Sequence, residues 1–129
     1  MEDKMKHLHE KNEQFRAPSK EILDTFDSPG VRGVHLEQAE FTSLCPLTNQ
    51  PDYGVIKVYY IPDKLCLESK SLKLYLSAYR NVGAFAETIT QMIMEDVWAV
   101  LKPLKVEVIG VFVRRGGISI EALARREKV

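Results

Sequence analysis

The chain has 129 residues, enough for one domain, and 45% of them are hydrophobic, an ordinary fraction for a folded protein. Eighteen basic residues balance eighteen acidic ones, which argues against a nucleic-acid binder working through a basic excess and gives no long-range charge repulsion between copies. No apolar run approaches the roughly 20 residues that span a bilayer, the first fifteen residues lack an apolar signal core, and the two cysteines form no CxxC pair or disulfide framework, so a soluble protein of the reducing cytoplasm is expected.

In chain order, residues 1–20 mix Lys4, Lys6, Glu10, Lys11 and Glu13 and read as a flexible segment ahead of a single domain over 21–129. Ser28-Pro29-Gly30 marks a turn. Val34 to Phe41 alternates imperfectly and predicts a strand, and Thr42 to Gly54, with two prolines, an asparagine and a glycine, predicts a loop. Val55 to Ile61 is β-rich; after the turn Pro62-Asp63-Lys64, Leu65 to Leu67 resumes a strand, so the two segments predict a hairpin.

From Ser69 the period changes. Leu72, Leu76 and Tyr79 recur at helical spacing, with Ser69 as the expected N-cap and Asn81-Val82-Gly83 as the break. A longer helix follows over about 85–101, with the stripe Phe85, Ile89, Ile93, Val97 and Val100 or Leu101, Met92 alongside, and Pro103 as its stop. Val106 to Val113 predicts a strand, Arg114-Arg115-Gly116-Gly117 a sharp turn, and Ile118 to Ile120 a short pairing segment before a charged end. This order predicts an α+β domain, an antiparallel sheet with two helices on one face. There is no βαβ alternation and no G-x-G-x-x-G, so a nicotinamide cofactor would have to be held without a Rossmann loop.

Three features carry possible chemistry. Cys45 precedes Pro46 in the predicted loop, and Asp52 lies a turn further on; a thiolate is a strong nucleophile and a nearby carboxylic acid can move protons. On spacing alone, a structural cysteine and a turn aspartate are the commoner reading of such a pair. Lys70 and Lys73 share a helix face near its start, where free N–H groups attract anions, and Arg115-Gly116 offers a second anion site; a solvated basic edge and a tight turn are the plainer alternatives. Glu87 opens the long helix, where the dipole favours a carboxylate, and a carboxylate also suits the N–H edge of a guanine-like base. Cys66 reads as a packed core residue. His7, His9 and His35 are scattered and make no ligand pair on one helix, so no metal site is expected.

Taken together, Phe41-Thr42-Ser43-Leu44-Cys45-Pro46, Gln50-Pro51-Asp52, Glu68-Ser69-Lys70-Ser71-Leu72-Lys73-Leu74-Tyr75, Arg80-Asn81, Glu87 and Arg115-Gly116-Gly117-Ile118-Ser119 resemble the QueF family in its short, single-module form. These are NADPH-dependent 7-cyano-7-deazaguanine reductases of queuosine biosynthesis, a tRNA modification. The resemblance implies a tunnelling fold (T-fold) that assembles into rings, here a homo-oligomeric decamer of two stacked pentamers with active sites between subunits. It implies reduction of the nitrile to 7-aminomethyl-7-deazaguanine through a thioimide on Cys45, with Asp52 as proton donor. Glu87, Glu68, Ser69 and the position of Ala86 would meet the substrate, and Lys70, Ser71, Lys73, Arg115 and Gly116 would hold NADPH; neither nucleic acid nor membrane is an implied partner. Amidine-forming relatives lack the Glu68 to Lys73 signature, which this chain has. Family members commonly carry a histidine where this chain has Ala86, which favours the alternative of a divergent member that binds the nucleobase with little reductase activity.

Overall fold

The computed structural model describes residues 17–113 and 116–129. Its centre is a four-stranded antiparallel sheet in the order β2-β3-β5-β6, built from β2 (Val34–Leu44), β3 (Pro51–Ile61), β5 (Lys105–Phe112) and β6 (Ile120–Glu127). A second, two-stranded sheet pairs β1 (Thr25–Asp27) with β4 (Leu65–Leu67). Helices α1 (Ser69–Ser77) and α2 (Ala86–Leu101) follow one another, joined through a 3-10 turn over Ala78–Asn81. The expected α+β architecture stands.

Side chains alternate across a pleated strand, and the burial follows that period. Ile56, Val58 and Tyr60 of β3 and Val106, Val108 and Phe112 of β5 are buried against the helices. From α2 the helical period buries Ile89, Ile93, Val97 and Leu101, with Met94 rather than Met92 alongside; Phe85 sits at the N-cap and is 56% exposed. Gly110 permits the close approach of α2 to the sheet: a Cβ there would collide with the Thr90 hydroxyl oxygen and reach 3.0 Å from the Phe112 ring. α1 packs on β2 through Leu72 and Leu76, and its Tyr75 hydroxyl bonds Asp96 of α2 at 2.5 Å and the Tyr79 hydroxyl at 2.8 Å. Burial of these two tyrosines pushes their hydroxyl pKa values up, that of Tyr79 to about 12.

Four local expectations need correction. The segment read as a loop over 42–54 is mostly ladder: Phe41↔Gly54, Thr42↔Tyr53, Ser43↔Asp52 and Leu44↔Pro51 pair, and only 45–50 turns. Pro51 is tolerated because it stands first in its strand. The expected hairpin between 55–61 and 65–67 does not form. Both edges of β3 are occupied, by β2 and β5, so β4 pairs instead with Thr25–Asp27, a strand too short and exposed to read from its sequence. The last strand runs over Ile120–Glu127, not Ile118 to Ile120; its charged residues belong to an edge strand with Glu107↔Arg125 and Lys105↔Glu127 side by side. Finally, the α1 N-cap is Glu68, one residue earlier than expected.

Candidate active site

The hairpin between β2 and β3 closes on itself at Cys45. Its backbone N–H donates to the Gln50 carbonyl at 2.8 Å and its carbonyl accepts from the Asn49 N–H at 2.9 Å. The loop turns through Asn49 at φ 60°, a left-handed conformation that asparagine adopts more readily than most residues. Cys45 is partly exposed. Its thiol pKa is lowered by the Thr48 hydroxyl and by the Thr48 and Leu47 amides, against an opposing push from a little desolvation and from the Asp52 carboxylate. A lowered thiol pKa raises the fraction present as thiolate, the reactive form. Cys66, by contrast, is buried on β4, as expected of a packed residue.

The other wall of the site is carried in from the helices. Leu44 N–H donates to the Val82 carbonyl at 2.9 Å, and Ala84 N–H donates back to the Leu44 carbonyl at 3.2 Å, a parallel bridge centred on Leu44 and Gly83. This short splice fixes where α2 begins, so its first turn stands over the cysteine loop. The result is a pocket of about 220 Å³ lined by Cys45, Asp52, Ala86 and Glu87 together with Pro46, Phe85, Phe112, Val113 and Ile120. Four of the residues singled out in the sequence therefore meet, from three separate elements. The apolar remainder suits a flat heterocycle, and the carboxylate of Glu87 at the pocket wall suits its N–H edge.

The Glu68 to Lys73 signature lies elsewhere in this chain. Ser69 and Lys73 line a different groove, beside Leu36, Glu37 and Gln38 of β2. The Glu68 carboxylate accepts from the Lys70 and Ser71 amides, both at 2.8 Å, so the amides expected to await an anion are already occupied; these bonds also hold the Glu68 carboxyl below its ordinary value. Ser71 is turned inward: its hydroxyl donates to the Glu68 carbonyl at 2.7 Å and accepts from the Asp24 amide at 2.9 Å. Lys70 and Lys73 remain exposed on one helix face. Gly116 and Gly117 adopt φ 76° and 83°, conformations that favour glycine, while Arg115 lies outside the described residues.

Sequence reasoning passed over Thr48 and the Tyr75–Tyr79–Asp96 cluster. A threonine three residues beyond a cysteine in a tight loop was a readable signal for the first; the second depends on the packing of two helices and had none. Among the described residues, no group of three or more His, Cys, Asp or Glu converges as a metal site, and no helix is long and apolar enough to cross a membrane.

Fold and pocket together define a class: an α+β domain whose sheet hairpin presents a cysteine of lowered pKa to a small, acid-lined pocket. Within that class, the chain belongs to the QueF-like protein family, whose model matches residues 51–129. It is 44% identical over 123 residues to the NADPH-dependent 7-cyano-7-deazaguanine reductase of Bacteroides thetaiotaomicron, covering 93% of this chain and 82% of that one. To the protein of the same name from Helicobacter pylori it is 45% identical over 123 residues, covering 93% and 83%. Among solved structures it resembles the archaeosine synthase QueF-Like in its apo form, with a TM-score of 0.72 and 25% identity over 78% of this chain and 98% of that one.

Proposed function

We propose that this chain reduces the nitrile of 7-cyano-7-deazaguanine to the primary amine of 7-aminomethyl-7-deazaguanine with NADPH, in the cytoplasmic pathway to queuosine. The observation that carries the reading is the convergence of Cys45, Asp52 and Glu87 in one pocket of about 220 Å³. The names of the relatives, nitrile reductases at 44–45% identity, support the substrate and the cofactor.

In this reading Glu87 holds the N–H edge of the base and aims its nitrile at Cys45. The thiolate forms a C–S bond to the nitrile carbon, one C–N π pair moves onto nitrogen, and Asp52 delivers a proton there to give a thioimide. NADPH would supply one hydride per molecule, so two molecules, bound in turn, would be consumed in each turnover. Between the two reductions the C–S bond breaks, sulfur leaves as thiolate, and an imine remains; the apolar walls from Phe85, Phe112 and Ile120 keep water from it. The cofactor's phosphates would be held by Lys70 and Lys73, which are exposed, and by Arg115 and Gly116; the exposure of the two lysines and the left-handed φ of Gly116 support this assignment. Ser71 would serve by holding the turn that presents those lysines.

Because Ser69 and Lys73 line a groove separate from the Cys45 pocket, we assign the complete site to two copies of the chain. Glu68 and Ser69 of one copy would approach the substrate in the pocket of the next, within a ring, and two stacked pentamers are the assembly we propose. Residues 21–129 would act as one catalytic unit. Ala86 favours a second reading. The described pocket lining contains no histidine, which suits a family member that binds the deazaguanine and reduces it slowly.

NADPH oxidation measured with and without the nitrile, alongside the intact mass of the protein, tests both. Nitrile-dependent oxidation with a mass increase at Cys45 supports the reductase. A Cys45 adduct without oxidation supports the binder, and an unmodified mass under saturating nitrile removes the covalent mechanism.

A further inference from the structure

Ser43 stands on β2 two residues before Cys45 and is 1% exposed, yet its hydroxyl has no hydrogen-bond partner. No other buried side-chain nitrogen or oxygen among the described residues is left in that condition. An unpaired buried hydroxyl costs stability, and alanine would fill the same place without that cost, so packing gives no reason for a serine here. Its position does. The ladder sets Ser43 directly opposite Asp52, and opposed residues of an antiparallel pair share a face, with Cβ atoms about 4.5–5.5 Å apart. Cys45, two residues on, continues that face past the end of β2. The backbone between them is held from both sides. Cys45 N–H donates to the Gln50 carbonyl toward β3, and Leu44 exchanges bonds with Val82 and Ala84 on the other edge. Asp52 lines the pocket and Ser43 does not, so the hydroxyl lies behind the proposed acid rather than against a ligand.

We propose that Ser43 is a positioning residue for Asp52: during the reaction its hydroxyl donates to one carboxyl oxygen and leaves the other, which carries the proton, turned toward the nitrile nitrogen. The inference rests on the reading of Cys45 as nucleophile and Asp52 as proton donor. It adds what that reading lacks, a group that orients the acid. The bond is open in this structure, and hydrogen bonds of this kind often tighten only when substrate is in place. Once Asp52 has given its proton to nitrogen, the carboxylate left behind accepts more strongly than the acid did. The Ser43 bond therefore favours the state after proton transfer over the state before it, which is the condition for speeding the step. Only the Asp52 proton changes owner; Ser43 keeps its own.

The test sets rate against stability in Ser43→Ala, using the full chain and 7-cyano-7-deazaguanine without NADPH. Growth of the Cys45 adduct is followed by rapid quenching and intact mass over a range of nitrile concentrations, and thermal melts are recorded beside it. Ser43→Ala should form the adduct severalfold more slowly at saturating nitrile, with the half-saturating concentration unchanged. Its thermal midpoint should equal or exceed that of wild type, because the substitution removes an unsatisfied hydroxyl. A purely structural serine would not give that combination. An adduct rate equal to wild type overturns the proposal. So does a lowered thermal midpoint or a variant that fails to fold, since either would show the hydroxyl to be a bond partner within the fold. A wild type that forms no adduct sinks the reading of Cys45 and this inference with it, whereas a wild type that forms one while Ser43→Ala matches it sinks the inference alone.

Discussion

Glu68 faces two demands on one carboxylate. In this chain it caps α1, satisfying the Lys70 and Ser71 amides at 2.8 Å each; in the proposed assembly it also meets a substrate. Caps of this kind contribute about 1 kcal/mol, and Glu68→Ala should lower the thermal midpoint accordingly. The pH dependence has a definite sign. The folded carboxyl titrates below its ordinary value because those amides favour the charged form. Its contribution is therefore complete above the unfolded pKa, about 4.3, and is lost as pH falls through the lower, folded value. Thermal melts of wild type and Glu68→Ala should converge in that acid range and separate above it. Ala86 makes the complementary case. Its methyl lies in the pocket wall between Phe85 and Glu87, and Ala86→His should raise nitrile-dependent NADPH oxidation. An unchanged turnover would mean that this branch orients its substrate without an imidazole.

At the scale of elements, the site depends on how closely α2 approaches the sheet. Thr90 donates to the Ala86 carbonyl at 2.8 Å and also stands where a Cβ of residue 110 would go. Gly110→Ala should therefore destabilise the fold by about 1–3 kcal/mol, the usual range for overpacking. It should also displace the first turn of α2, lowering activity more than folded fraction; a denaturant midpoint measured beside specific activity separates the two. The same elements mark how much the sequence disclosed. Both helices were legible because their apolar residues repeat over several turns, and Cys45, Asp52 and Glu87 because each sits in a recognisable motif. The β2–β3 ladder beyond Phe41 was not, because prolines and small polar residues mask a pairing that long-range hydrogen bonds impose. β6 was hidden for a related reason: an edge strand is free to carry Glu121, Arg125 and Glu127, so its composition resembles a charged tail. The separation of Ser69 and Lys73 from Cys45 could not be read at all, since it depends on where two non-adjacent elements come to rest.

For the whole molecule, a site completed by a second copy makes a prediction that a one-chain site does not. Cys45→Ala removes the nucleophile, and a double change of Lys70 and Lys73 to Ala removes the proposed phosphate contacts. Each variant should be inactive by itself. Mixed after dissociation and reassembly, the two should regain part of the nitrile-dependent NADPH oxidation, because some interfaces then join an intact pocket to an intact lysine pair. Size-exclusion chromatography with light scattering measures the mass of the assembly and checks that mixing occurred. Failure to regain activity in a demonstrably mixed assembly would place every required group within one chain.

The splice between Leu44 and Gly83 gives the site a gauge of its own. Two amides, Leu44 and Ala84, are shielded only as long as the cysteine loop and the approach to α2 stay joined. Their exchange with deuterated solvent thus counts how often the two halves of the pocket part company, independently of global unfolding. A ligand that bridges Cys45 and Glu87 should slow both amides together, so a binding event that leaves no spectral trace could still be followed at two backbone positions.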